Sequence, residues 1–234
     1  MSVLVALPLS AAKKRTQPSQ PLRVACVGNS VTYGYGLADR DHDAYPVRLQ
    51  AMLDGKYGAG RFQVGNFGRS GATLLNRGHR PYMQQPEFRQ AMDFKADWVV
   101  IHLGLNDTDP RDWPDWKEEF IPDYRALIDS FRTANPEARI LVCRMTPIFD
   151  RHPRFQSGTR DWHAQVQKAI AQVAQGAGAQ LIDLHTPFTP GPTSSRMPCT
   201  PIPTERRYWH RRSTARSRAI TAVCTCRPSS PTGW

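Results

Sequence analysis

Between residues 22 and 183, short runs rich in Val, Ile, Leu or Phe alternate with longer runs whose apolar residues recur at helical spacing, and this alternation narrows the possible folds more than any other feature. Residues 22–27, 62–66, 98–103, 139–143 and 180–182 read as strands, because they are short, β-rich and bounded by turn residues. Residues 45–54, 123–133 and 161–175 read as helices. In the last of these Ala164, Ile170 and Val173 share one face, with Val166 at its edge. Strands that alternate with helices predict a parallel five-stranded sheet, helices on both faces and right-handed crossovers, an α/β architecture. On such sheets ligands bind beyond the carboxyl ends of the strands.

The loops at those ends therefore carry the functional expectation. After the first strand comes Gly28-Asn29-Ser30-Val31-Thr32-Tyr33-Gly34, after the second Asn66-Phe67-Gly68-Arg69-Ser70-Gly71-Ala72-Thr73, and after the third Gly104-Leu105-Asn106-Asp107. Ester hydrolysis by a serine needs an exposed hydroxyl, a base and hydrogen-bond donors aimed at the developing oxyanion. Ser30 sits between glycines at a strand-to-loop turn. Its own N–H, the N–H of Gly71 and the Asn106 side-chain amide are the candidate donors. A post-strand serine also suits a tight turn or a phosphate cradle. Asn106 also suits a helix cap, and Gly71 a positive φ angle.

Taken together, the three blocks resemble the GDSL/SGNH hydrolases in order and spacing. The family's Gly-Asp-Ser block is similar to Gly28-Asn29-Ser30 with Thr32 and Gly34, its second-block glycine to Gly71, and its Gly-x-Asn-Asp block to Gly104-Leu105-Asn106-Asp107. Asn29 departs from the commoner Asp, a position that is not one of the catalytic groups, and the variant is similar to SGNH domains among carbohydrate acetyl esterases. The resemblance covers roughly residues 22–189. It implies a three-layer flavodoxin-like fold, Ser30 as nucleophile, and the Ser30 N–H, Gly71 N–H and Asn106 as the oxyanion hole. The implied activity is removal of acetyl groups from a carbohydrate through an acyl-enzyme, without metal or cofactor.

Trp113 and Trp116 allow two readings: a sugar-binding rim above Asn106, or anchors that pin a helix start to the sheet. His102 lies inside the third strand and reads as a satisfied core histidine. His42, His79, His152 and His163 have no acid at a triad spacing and read as solvated surface.

The family's base belongs to a late Asp-x-x-His block, and none is present. Asp183-Leu184-His185 has one intervening residue instead of two and falls too early. From Pro190 the composition turns to Arg, Pro, Ser and Thr without helical period, which divides the chain into an N-terminal extension (1–20), a hydrolase domain (21–189) and an irregular basic tail (190–234). Such a tail reads either as disordered or as the product of a frameshift. Joining the third base of each codon to the first two of the next, Arg196 to Met197 allows Asp, Met197 to Pro198 requires Ala, Pro198 to Cys199 allows Leu, Cys199 to Thr200 gives His or Tyr, and Thr200 to Pro201 allows Pro. Asp-Ala-Leu-His-Pro is thus permitted where the block belongs. In the same frame, the stretch from Glu205 to Ala215 allows a run of Ala, Leu and Val suited to a closing helix.

The formal charge of +11 would ordinarily raise nucleic acid as a partner. Eight arginines and a single acid, Glu205, lie in residues 191–234, however, so the first 190 residues carry only about +4. Nucleic acid is therefore not an expected partner; a small-molecule or carbohydrate ester is. Cys26 and Cys143 fall in buried strands and Cys199, Cys224 and Cys226 in the tail, a pattern that fits neither a disulfide framework nor a metal centre. No run is long enough to span a membrane. The apolar run from Val3 to Leu9 before Ser10-Ala11-Ala12 resembles a secretory remnant, but it lacks a basic segment ahead of it and Lys13-Lys14-Arg15 follows.

Overall fold

The computed structural model describes residues 20–148 and 159–188. Five strands, β1 (Leu22–Gly28), β2 (Phe62–Gly68), β3 (Trp98–His102), β4 (Arg139–Cys143) and β5 (Gln180–Ile182), form one sheet in the order β2-β1-β3-β4-β5. Every neighbouring pair is parallel. All five strands lie where the β-rich runs predict them. β1 and β2 extend slightly further, each ending on a glycine.

In chain order the helices are α1 (Ser30–Tyr33), α2 (Arg40–Asp43), α3 (Tyr45–Tyr57), α4 (Pro86–Asp93), α5 (Trp113–Trp116), α6 (Phe120–Ala134) and α7 (Thr159–Gly176). The alternation of side chains along the strands divides the core into two layers. On one face Ala25, Val27, Val99, Ile101 and Val142 pack with Ala91 of α4, Leu127, Ile128 and Phe131 of α6, and Ile170 and Val173 of α7. On the other, Val24, Cys26, Val100, Leu141 and Cys143 share a layer with Leu49 and Leu53 of α3. Burying each Leu or Ile in these layers is worth roughly 1.5–3 kcal/mol. As the sequence predicts, Cys26 and Cys143 are buried in the strands. Among the described residues no helix is long and apolar enough to cross a membrane.

What positions the site is the reversal of strand order. From β1 the chain passes to β2 on one side and then returns to lay β3 on the other, the switch point at which doubly wound sheets open a crevice. The register pairs Gly28 with Gly68 and with His102, so β1, β2 and β3 end level with one another. Both glycines are needed for the next turn. A Cβ on Gly68 would collide with the Tyr33 nitrogen, and one on Gly28 with the Thr32 side chain. Their absence lets α1 fold back directly onto the strand ends.

Candidate active site

Ser30 opens α1. The Asn29 side chain caps this short helix by accepting a hydrogen bond from the Val31 N–H at 3.1 Å. The cap fixes the turn, and it leaves the Ser30 N–H among the first-turn donors that a helix does not satisfy internally. Asn29 itself is fully buried, and its Nδ2 has no hydrogen-bond partner. An aspartate at this position would accept the same bond without placing an unpaired donor in the interior.

Gly71 has φ +80°, a left-handed conformation that only glycine adopts freely. The Arg80 guanidinium lies against it, donating to the Ser70 carbonyl at 3.0 Å. The Asn106 side chain is 4% exposed and donates through Nδ2 to the Ala72 carbonyl at 2.8 Å. It is the first residue inside a short 3-10 turn whose cap position is Leu105. One amide hydrogen thus ties Asn106 to the residue after Gly71, leaving the second free. Gly104, with φ +122°, packs its bare Cα against Val166, Met145 and Phe120, where a Cβ would be crowded at 3.0–3.3 Å. Of the sequence-predicted donors, the structure directly links the Gly71 loop to Asn106, and the strand register sets the Ser30 turn beside both.

Three carboxylates that the sequence reading did not single out hold the second loop. Asp107 accepts from the Leu74 N–H at 3.0 Å and the Leu75 N–H at 2.8 Å. Asp112 accepts from the His79 backbone at 2.8 Å and pairs with His79 Nδ1 at 2.6 Å. Asp123 accepts from the Asn76 backbone at 2.7 Å and its side-chain amide at 2.9 Å. Burial pushes the Asp107 carboxyl up to about 7, although the Leu74 and Leu75 amides favour its ionised form.

The histidines sort differently from the sequence expectation. His42 is on the surface, paired with Asp39 at 2.8 Å. His79 is at the surface as expected, but its ring is turned onto Asp112, leaving the side chain 18% exposed, because the loop folds back over the segment after β3. His163 is buried instead; burial lowers its pKa and its Nε2 meets the Thr146 carbonyl at 3.1 Å. His152 lies outside the described residues. His102 is a core residue as expected, but not a satisfied one: it is 1% exposed and neither ring nitrogen has a partner. Burial alone pushes its pKa down to about 4. The His185 ring accepts from Gln167 Nε2 at 3.1 Å, while Asp183 turns to the backbone N–H groups of His185 and Thr186.

Trp113 is 4% exposed, stacks edge-on to Phe120 and donates its indole N–H to Gln165 at 2.8 Å. That is the anchoring geometry, with no ring face left for a sugar. Trp116 packs partly against the same core, and the Arg77 guanidinium lies 3.4 Å from its ring centre. Among the described residues no group of three or more His, Cys, Asp or Glu could hold a metal ion.

A five-stranded parallel sheet with helices packed on both faces and a switch point between β2 and β3 is the fold of the SGNH hydrolases. Residues 26–202 match the GDSL-like lipase/acylhydrolase family, a family of carboxylic ester hydrolases, and the chain belongs to it. It is 35% identical over 181 residues to an acetylxylan esterase of Xylanibacter ruminicola, an alignment covering 70% of this chain and 36% of that protein. The chain thus spans little more than a third of that relative's length. In fold it resembles a carbohydrate acetylesterase from Sinorhizobium meliloti (TM-score 0.57, 19% identity, 69% of this chain and 83% of the other). It also resembles an acetylxylan esterase from Geobacillus stearothermophilus (TM-score 0.51, 19% identity, 74% and 80%).

Proposed function

We propose that this chain is an SGNH-type serine esterase that removes acetyl groups from a carbohydrate, with Ser30 as nucleophile and the Ser30 N–H, Gly71 N–H and Asn106 amide as the oxyanion hole. The observation that carries the reading is the bond from Asn106 Nδ2 to the Ala72 carbonyl, which joins two of the three donors into one rigid unit beside the serine turn. Ser30 Oγ attacks the acetyl carbon as a base takes its proton. The carbonyl oxygen gathers negative charge and the three donors neutralise it. Collapse breaks the bond to the sugar oxygen, which leaves as a hydroxyl by taking the proton held by the base; water, losing a proton to the same base, then attacks the acyl-serine and releases acetate and the free serine. Preorganised donors act on charge that exists only at the transition state, so they raise turnover more than ground-state binding. The similarity to an acetylxylan esterase favours an O-acetylated sugar as the substrate class.

The base belongs, in this reading, to an Asp-x-x-His block displaced by a frameshift near residues 190–200, a stretch outside the described residues. Sequencing the gene across codons 186–202 tests that account. The alternative is a catalytically silent scaffold that retains a carbohydrate site, and the absence of a late Asp-x-x-His block after the fifth strand favours it. Two assays separate these readings. A serine-directed phosphonate should label the peptide that holds Ser30, and acetate should be released from an acetylated xylo-oligosaccharide. Labelling at another serine refutes the assignment of the nucleophile. Labelling at Ser30 without acetate release identifies the silent scaffold.

A further inference from the structure

Among the described residues five large hydrophobic side chains are exposed, and three of them, Val31, Tyr33 and Tyr35, lie within the five positions after Ser30. Exposed apolar surface that is contiguous marks a contact surface, and here the exposed side chains follow directly on the candidate nucleophile. Tyr35 is 67% exposed, although its backbone is tightly fixed: its N–H donates to the Ser30 carbonyl at 3.0 Å, a carbonyl that also accepts from Gly34 at 2.9 Å. The glycines on either side have φ +88° and +84°, so the chain reverses through two left-handed residues and turns Tyr35 outward. Tyr33 has the Arg40 guanidinium over its ring, 4.4 Å from the centroid. One tyrosine is thus buttressed, its N–H donating to the Asn29 carbonyl, and the other presents an open ring and is anchored to the residue that carries the reacting hydroxyl.

We propose that Tyr35 is the platform on which the pyranose ring bearing the acetyl group stacks, and so a specificity-determining residue for carbohydrate esters. The proposal rests on the carbohydrate reading given above. A pyranose has a face of C–H groups and a rim of hydroxyls. It gains from an aromatic face that excludes water on one side and leaves its polar rim wet, as an exposed tyrosine does. An acyl group at Ser30 places its sugar within reach of whatever projects from residues 31–35. Trp113, buried in the core, and Trp116, partly buried under Arg77, are less able to serve that role.

Binding is measured without turnover, in the Ser30→Ala background, by calorimetric titration with acetylated xylotetraose. Adding Tyr35→Ala should weaken binding about tenfold, the scale of losing one stacked contact, and Tyr35→Phe should restore it, because the ring and not the hydroxyl is used. Thermal melts of both variants should match the parent. Unchanged affinity in Tyr35→Ala overturns the platform and leaves the carbohydrate reading intact. Equal loss in Tyr35→Phe and Tyr35→Ala also overturns it, by assigning the contact to the hydroxyl. If the parent binds no acetylated sugar while the chain with Ser30 intact is labelled by the phosphonate, the carbohydrate reading fails and the platform falls with it.

Discussion

Acidification should weaken this protein through His102, beneath the Ser30 turn. The ring sits at the end of β3, in register with Gly28, and neither nitrogen has a partner. Its value falls from 6.5 in the unfolded chain to about 4 in the folded one, entirely through burial. Because the folded value is the lower, the stability it contributes is complete above about pH 6.5 and is lost as the pH falls toward 4. The difference corresponds to roughly 2 kcal/mol lost between pH 8 and pH 5, and about 3 kcal/mol by pH 4. For domains whose total stability is about 5–15 kcal/mol that is a large share. The assay is urea unfolding, followed by tryptophan fluorescence, of the parent and His102→Leu at pH 8, 6.5 and 5. At pH 8 the variant should be no less stable than the parent, since it removes two unpartnered polar atoms from a packed interior. From pH 8 to pH 5 its advantage should grow by about 2 kcal/mol. Parallel curves for the two proteins would refute the reasoning, because they would mean that the ring is already solvated or partnered.

Asn106→Ala should lower kcat by roughly a hundred- to a thousandfold, the cost of one oxyanion donor. Retention of full turnover in steady-state kinetics would show that its amide serves only to hold Ala72. Asp107→Asn should abolish a second pH dependence of opposite sign. Burial raises this carboxyl from 3.8 to about 7, so its contribution is present below about pH 4 and is lost as the pH rises toward 7. Unfolding curves for the two proteins at pH 4, 5.5 and 7 check this, and an unchanged slope in the variant counts against it. The chain as written should be a poor esterase, holding only the residual catalysis of roughly 10³–10⁴ over water that binding and an oxyanion hole provide. Rebuilding the C-terminus in the alternative frame should raise both acetyl-ester turnover and melting temperature. Ordinary enzyme rates from the unrepaired chain would instead make His185, and His79 with its Asp112 partner, the bases to substitute first.

The strands were legible because each is a compact β-rich run ended by a glycine or another turn residue, and a parallel sheet follows from their alternation with helices. α3 begins at Tyr45, where its periodicity does. α4 went unread because eight residues after Pro86 give too few turns for a helical period to stand out. The short α1, α2 and α5, of four residues each, leave no pattern at all. At the site, Ser30, Gly71 and Asn106 are distinguished by their post-strand position. The carboxylates that fix the loop are not, since Asp107, Asp112 and Asp123 bind backbone amides 32–47 residues away, and an amide has no sequence signature. Trp113 and Trp116 posed the opposite difficulty: an aromatic pair reads equally as rim or anchor until burial is known. Tyr35, between two glycines, reads as an ordinary turn residue.

All partners in the hydrogen-bonded frame around the second loop, from Ala72 to Asp123, are encoded upstream of β4. During synthesis every group of that frame is therefore translated before the strands β4 and β5. Since domains assemble from their N-terminal side as they emerge, the loop can be locked early, on a half-built sheet. Errors introduced late in translation, or in the last quarter of the gene, would then yield a protein whose hydrogen-bonded frame around Gly71 and Asn106 is already set.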